Sequence, residues 1–208
     1  MAEHWLVGDQ ALAAAERILD VAGECFAAKG VARTSIGDIA TAAGCSRPTV
    51  YRYFDDRDAL RRAFVHREAR RLGATVAHRV QAIRDPGRRL VEAVLASVQG
   101  VRDNPTLAAW FRDADAGVAV DLARESTVIE AMATEFLGGA GDASTRDRAR
   151  WIVRVVLSLL TVPGTDEADE RALLEQFVVP VVAPSTRGRA TAGGSDSPRS
   201  ARRARRSP

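Results

Sequence analysis

Two serines suited to capping helices, Ser35 and Ser46, bracket Gly44, and this punctuation constrains the fold more than any other feature of the 208-residue chain. Ser35 with Asp38 has the spacing of a capping box, Asp standing where Glu is commoner. Ile36, Ile39 and Ala40 make one apolar stripe, so a helix is expected from Ser35 to Ala43. Gly44 can turn the chain with positive φ. Ser46 then caps a short helix of about Arg47 to Tyr53, with Pro48 tolerated in its first turn. Only Val50 and Phe54 look inward from that helix; Arg47, Pro48, Thr49, Tyr51, Arg52 and Tyr53 are left to face out.

The rest of the chain is punctuated in the same way. Leu12, Ile18, Leu19, Ala22 and Phe26 recur at helical spacing within Ala11 to Lys29, and Gly30 sits at the C-terminal cap. Asp56 caps a fourth helix running from Arg57 toward Arg84. Asp85-Pro86 and Asn104-Pro105 are cap-then-proline starts for helices over 86–102 and 105–113. Further helices are expected over 117–137, 145–162 and 166–179, divided by Gly138-Gly139 and Pro163-Gly164. Val178 to Val182 is the one run with any period-two character, and Pro180 within it argues against a strand. With 5% aromatics, the core must be built mostly from Ala, Leu, Val and Ile, which suits closely packed helices. The fold class expected is all-α in three parts: an N-terminal three-helix unit with a helix-turn-helix (1–56), a helical body (57–184) and a terminal segment (185–208). That segment is rich in Arg, Ser, Gly, Ala and Pro, cannot bury a core and is expected to be disordered.

The net charge of +3 hides a split. The last segment carries seven arginines against one aspartate, net +6, which leaves the other 184 residues at −3. Whole-chain charge is therefore a poor argument for a nucleic-acid partner, and the case rests on where particular side chains fall. No window of 18 or more apolar residues offers a membrane span, and Met1 to Gln10 carries Glu3 and Asp9 with no apolar signal core, so a cytoplasmic protein is expected. Cys25 and Cys45 cannot make a disulfide framework, and His4, His66 and His78 fall at no metal-ligand spacing, so neither metal nor cofactor is expected.

Two tyrosines and two arginines on one exposed helical turn suit a phosphate-lined groove. Arg47 can donate two hydrogen bonds to a guanine, Thr49 can reach a base or phosphate, tyrosine hydroxyls can bind phosphate, and Pro48 offers an apolar edge to a thymine methyl. Ala22, Phe26, Gly30, Thr34, Ser35, Asp38, Ile39, Ala40, Ala43, Gly44, Ser46, Thr49, Tyr51, Tyr53 and Phe54, at their spacings, resemble the N-terminal signature of the TetR family. Asp56, Arg57, Asp58 and Leu60 resemble its continuation into the fourth helix. The resemblance covers about the first 65 residues; the rest is similar only in length, helicity and helix order. It implies a DNA-binding transcriptional regulator, a ligand-responsive homodimeric repressor, placing its third helix in the major groove of a palindromic operator in duplex DNA. Arg47, Pro48, Thr49, Tyr51, Arg52 and Tyr53 fall on the family's DNA-facing positions, Arg57 on a phosphate-binding position, and Thr34 and Ser35 add possible phosphate contacts. Gly37 departs from the family, which often has a basic or polar side chain there. Base reading is therefore assigned to helix three. Partial packing of Tyr51 against helix one, and a merely solvated Arg52, compete with these roles.

The resemblance further implies a small-molecule effector held in the body. Leu95, Val98, Leu107, Trp110, Phe111, Met132 and Phe136 are candidates for an effector pocket, ordinary helix packing being the competing role. Few of these are polar, which favours a hydrophobic effector. The family's last helix pair forms a four-helix seam with its symmetry mate. Trp151, Val155, Leu159, Leu173 and Phe177 are the candidates here for that dimer interface, or for the core beneath it.

An enzyme finds no support. There is no phosphate-binding glycine loop, no zinc motif and no nucleophile–base set, and Asp113 and Asp115, two apart, would diverge on a helix. Two alternatives stay open: a ligand-binding helical scaffold whose reading head is inactive, with Gly37 in its favour, and an activator. The terminal arginines would add salt-sensitive DNA affinity or serve as an inert extension.

Overall fold

The computed structural model describes residues 2–112, 115–139 and 142–183, with side chains from residue 11 onward. The arginine-rich segment 185–208 lies outside the described residues. All regular structure among the described residues is helical: α1 (Ala2–Lys29), α2 (Ile36–Ala42), α3 (Arg47–Tyr51), α4 (Arg57–Val80), α5 (Pro86–Arg102), α6 (Pro105–Ala108), α7 (Ala116–Glu125), α8 (Thr127–Phe136), α9 (Ala143–Thr161), α10 (Glu167–Leu173) and α11 (Val179–Val182).

The first three helices form where the capping residues place them. Gly30 ends α1 at φ +86°. Ser35 accepts from the Asp38 amide while Asp38 accepts from the Ser35 amide, a complete capping box. Gly44, at φ +66°, closes a Schellman turn: Cys45 N–H donates to the Ala40 carbonyl (2.9 Å) and Gly44 N–H to that of Thr41 (3.2 Å). Ser46 accepts from the Thr49 amide and opens α3. Asp56, Asp85 and Asn104 cap α4, α5 and α6 through side-chain acceptance from the following amides.

Five boundaries differ from expectation. α4, expected to run toward Arg84, stops at Val80. α1 begins at Ala2 rather than Ala11, and Leu12, expected on its apolar face, is 65% exposed. The helix expected over 105–113 is one α turn followed by a 3₁₀ turn at Ala109–Phe111. The helix expected over 117–137 divides at Ser126, whose hydroxyl accepts from the Ile129 amide (3.1 Å) and starts α8 afresh. The last helix continues past 179: a π-helical turn at Leu174–Val178 precedes α11, in which Pro180 stands. Proline lacks the amide and crowds the carbonyl four residues back, and a widened turn relieves both.

Packing divides into two main clusters. One joins Ile18, Leu19, Ala22 and Phe26 of α1 to Ile36 and Ile39 of α2, Val50 and Phe54, Leu60 and Phe64 of α4, and Trp110 beyond α6. It crosses the boundary drawn at residue 56, so the three-helix head is cemented to the body by its own core. The second joins α5 to α9 and the C-terminal helices through Leu90, Val94, Leu95, Val98, Ile152, Leu159, Leu174 and Val178. Glu170, 2% exposed, ties this region together. Arg102 donates to both its carboxylate oxygens (2.6 and 3.1 Å) and to the Leu159 carbonyl (2.9 Å), and the Gly164 amide donates to the same carboxylate (3.1 Å). The Arg102 guanidinium holds the Glu170 carboxyl below its ordinary range against the opposing effect of burial.

Candidate nucleic-acid interface and effector cavity

α3 presents one continuous polar face. Val50 is fully buried and Phe54 nearly so, which turns Arg47, Pro48, Tyr51 and Arg52 out to solvent and leaves Thr49 and Tyr53 half-buried. Tyr51 is 49% exposed, so the tyrosine that packs toward the head's core is Tyr53 instead. The Arg52 guanidinium stacks over the Tyr53 ring (5.2 Å) and donates to its hydroxyl (3.3 Å). Thr49 and Ser46 share a hydrogen bond of 2.9 Å. Arg57, exposed at the start of α4, reaches back toward the Ala32 carbonyl (3.4 Å).

Two expected phosphate contacts are corrected. Thr34 is fully buried, and its hydroxyl bonds the carbonyls of Gly30 (2.7 Å) and Cys25 (3.2 Å), so it fastens the α1–α2 loop from within. Ser35 is exposed, but its hydroxyl donates to Asp38 (2.6 Å) and accepts from the Asp38 amide (3.2 Å), so its proton is not available to a phosphate while the capping box stands. Lys29 also donates to Asp38, and these donors, Lys29 foremost, hold the Asp38 carboxyl far below its ordinary range.

The head is fastened to the body by polar contacts that no local spacing announces. Asp115, 3% exposed at the start of α7, accepts from the amides of Val31 (3.0 Å) and Ala32 (2.7 Å). Arg61, 5% exposed on α4, donates to the Val31 carbonyl (2.7 Å) and to Asp58 (3.1 Å). Arg112 donates to the Ala27 carbonyl (3.0 Å). Lower on α4, Arg67 bonds Glu16 (3.2 Å), Asp20 (2.9 Å) and Glu68 (2.9 Å). Phe26, Phe64 and Trp110 pack as an aromatic trio, with Trp110 stacked on Phe64 at 5.8 Å and edge-on to Phe26 at 5.3 Å.

Behind this junction lies a cavity of about 570 Å³, within the usual range for small-molecule sites. Of the candidate pocket residues, Leu107, Trp110, Phe111, Met132 and Phe136 line it. Leu95 and Val98 do not: both are buried in the α5–α9 core. On α5 the cavity face is Ala93, Val94, Ser97 and Val101, and Leu95, two residues from both Ala93 and Ser97, points away from it. Two polar groups of the wall, Ser97 and Glu68, are already matched within the protein, while Arg70 and Glu135 also border it. The Ser97 hydroxyl bonds the Ala93 carbonyl (2.7 Å), and the Glu68 carboxylate is held by Arg67 (2.9 Å) and Arg71 (3.1 Å). The buried Trp110 indole N–H has no acceptor among the described residues.

On the opposite face, Trp151 (45% exposed), Leu173 (42%) and Phe177 (59%) stand in solvent around a shallow hollow floored by Val155 and Leu159. Leu159 is 8% exposed and belongs to the core beneath, whereas the other large side chains form the surface itself. No helix among the described residues is long and apolar enough to cross a membrane.

A helix-turn-helix with an arginine- and tyrosine-bearing second helix, set on a helical body, defines a class of DNA-binding regulators. The family model described as bacterial regulatory proteins, tetR family, matches residues 18–64. Uncharacterised HTH-type transcriptional regulators from two strains of Mycobacterium tuberculosis (CDC 1551 / Oshkosh and ATCC 25618) are each 46% identical over 192 residues, covering 91% of this chain and 95% of theirs. The chain therefore belongs to the TetR family of transcriptional regulators. Solved structures with the same fold include RolR in complex with resorcinol (TM-score 0.63, 15% identity, covering 85% of this chain and 90% of that one). Thermus thermophilus FadR, a repressor in complex with lauroyl-CoA, is similar at TM-score 0.57 and 20% identity, covering 87% and 100%. The repressor AlkX from Dietzia sp. is similar at TM-score 0.55 and 20% identity, covering 80% and 95%.

Proposed function

We propose that this regulator is a homodimeric, ligand-responsive repressor that reads a palindromic operator. Arg47, Pro48, Thr49, Tyr51 and Arg52 enter the major groove from α3, with Arg47 and Thr49 at the helix start, where base edges are reached. Tyr53 and Arg57 face phosphates beside it. Trp151, Val155, Leu173 and Phe177 meet their two-fold mates, which removes large apolar groups from water and fixes the spacing of the two α3 helices. The repressor reading rests on the simplest use of an occupied operator, which is to block a promoter.

One observation carries the ligand response: the same short stretch of chain walls the cavity and holds the head. Trp110 and Ala119 line the cavity, and between them Asp115 grips the α1–α2 loop. A ligand that displaces this wall moves the grip, and binding that differs between two head positions shifts their populations. The walls are mainly apolar, and Ser97 and Glu68 among their polar groups are already paired, which supports a mainly hydrophobic effector. RolR and Thermus thermophilus FadR were each solved with a small molecule bound, resorcinol in one and lauroyl-CoA in the other.

The test is fluorescence anisotropy with a labelled duplex from upstream of the protein's own gene and a scrambled control, at fixed salt. Binding that survives competitor DNA, fails with Arg47→Ala and is released by an apolar compound supports the reading. Equal, salt-sensitive binding to both duplexes counts against specific recognition.

A further inference from the structure

Gly37 occupies the second position of α2, inside the helix and without positive φ, where glycine costs about 1 kcal/mol relative to alanine. Nothing in the α2 backbone calls for it. The neighbouring side chain does. A Cβ at residue 37 would stand 2.5 Å from Nη2, 2.8 Å from Nε and 2.9 Å from Cζ of Arg47, closer than Cβ contacts occur. The Arg47 guanidinium therefore lies against the start of α2, its Nε–Nη2 edge nearest residue 37, in the space that a side chain there would enter. Among the described residues no carboxylate or carbonyl accepts from it. Its donors remain available, at the first residue of α3, on the surface that carries Tyr51 and Arg52.

Resting on the proposed reading of DNA by α3, we propose that Gly37 is a specificity-determining position. Its missing side chain seats the Arg47 guanidinium over the start of α2 and holds it in register for one guanine of each half-site. Guanidinium recognition of guanine is bidentate and planar, so it depends on the angle at which the group is held. A residue with a side chain at 37 pushes the guanidinium off α2 and loosens that angle. The apparent loss of a reading side chain on α2 is the condition for a better placed one on α3.

The experiment is selection from a random-sequence duplex library by the full-length protein and by Gly37→Ala, Arg47→Ala, Arg47→Lys and the Gly37→Ala/Arg47→Ala double variant. Melting temperatures are recorded for each. The wild type is expected to enrich one symmetric guanine. Gly37→Ala is expected to keep or raise the melting temperature yet lower preference for that guanine about tenfold, leaving other positions unchanged. Arg47→Ala and Arg47→Lys are expected to lose the same preference, and the double variant to discriminate no worse than Arg47→Ala. If Arg47→Ala loses the guanine while Gly37→Ala keeps it, or if the two effects add, the positioning role of Gly37 is overturned and the α3 reading stands. If Arg47→Ala selects the wild-type sequence, or the wild type selects none, both fall.

Discussion

The carboxylate of Asp115 closes on the amide of Ala32, 83 residues earlier in the chain, at 2.7 Å, and its second oxygen takes the neighbouring Val31 amide at 3.0 Å. A body helix thus completes the hydrogen bonding of the loop that joins α1 to α2, and Arg61 matches the Val31 carbonyl from the other side at 2.7 Å. The head is held by charge-assisted bonds to its backbone, which fix its orientation more tightly than apolar contact alone.

Removing that carboxylate should be costly. Asp115→Ala strands two amides, at about 1–3 kcal/mol for a buried donor left unmatched. Asp115→Asn keeps the shape but aims an NH₂ donor at one of the two N–H groups. Both variants should melt several degrees lower, at roughly 2–4 °C per kcal/mol for a chain of this size. Faster hydrogen exchange at Val31 and Ala32 should accompany the change. An unchanged melting temperature would show that the clamp contributes nothing.

The α7–α8 junction should be acid-sensitive. The Ser126 hydroxyl accepts from Ile129 N–H and shares a hydrogen bond of 3.0 Å with His66 Nε2. Burial foremost, with Arg70 and Arg62, pushes the His66 pKa below its ordinary 6.5. A depressed folded-state pKa means that the unfolded chain binds the proton more readily. The contribution is therefore fully present above pH 6.5 and lost as pH falls through the folded-state value. Thermal melts on either side of this window should show the loss in the wild type. His66→Gln, which keeps an acceptor but cannot titrate, should flatten it; an equally steep profile in the variant would place the effect elsewhere.

The cavity should be open to filling. Ala133 lines it from α8, and Ala133→Phe should occupy part of the 570 Å³ without lowering the melting temperature. The dye 1-anilinonaphthalene-8-sulfonate should gain fluorescence with the wild type and far less with the variant, and operator binding should persist without response to apolar compounds. Equal dye binding by the two proteins would place the apolar site elsewhere.

The exposed seam should govern assembly. Phe177→Glu and Trp151→Glu alter side chains 59% and 45% exposed, so the subunit should still fold. Sedimentation should show monomers, and operator affinity should fall because each α3 then binds alone. A mass identical to the wild type would place the interface on another face.

Much of the head was legible because its signals are local. A capping box, a glycine at the helix end and a serine before a proline act within one or two turns, and Ser35, Gly44 and Ser46 do in the structure what their spacing announces. The family resemblance, by contrast, misplaced Thr34 and Ser35 as phosphate contacts, because exposure and the partner of a hydroxyl depend on what packs around the loop. On α5 the apolar stripe is nearly continuous, so periodicity could not say which residues meet the cavity, and Leu95 and Val98, both packed in the α5–α9 core, were assigned to it. The break at Ser126 was hidden because serine is tolerated inside a helix; His66, from a distant helix, adds to the cap that makes it a boundary.

The sequence by itself determined the helical class, the head's helix-turn-helix and the outward set on α3, since these follow from caps, periodicity and two buried anchors within a few turns. Only the tertiary structure decided that Asp115 holds the loop at Val31, that Trp110 joins the head's core to the cavity wall, and that Gly37 makes room for Arg47. Each of these depends on groups far apart along the chain, or on different helices, meeting at hydrogen-bond or van der Waals distance. Such meetings are set by how the helices pack, which no short-range pattern encodes.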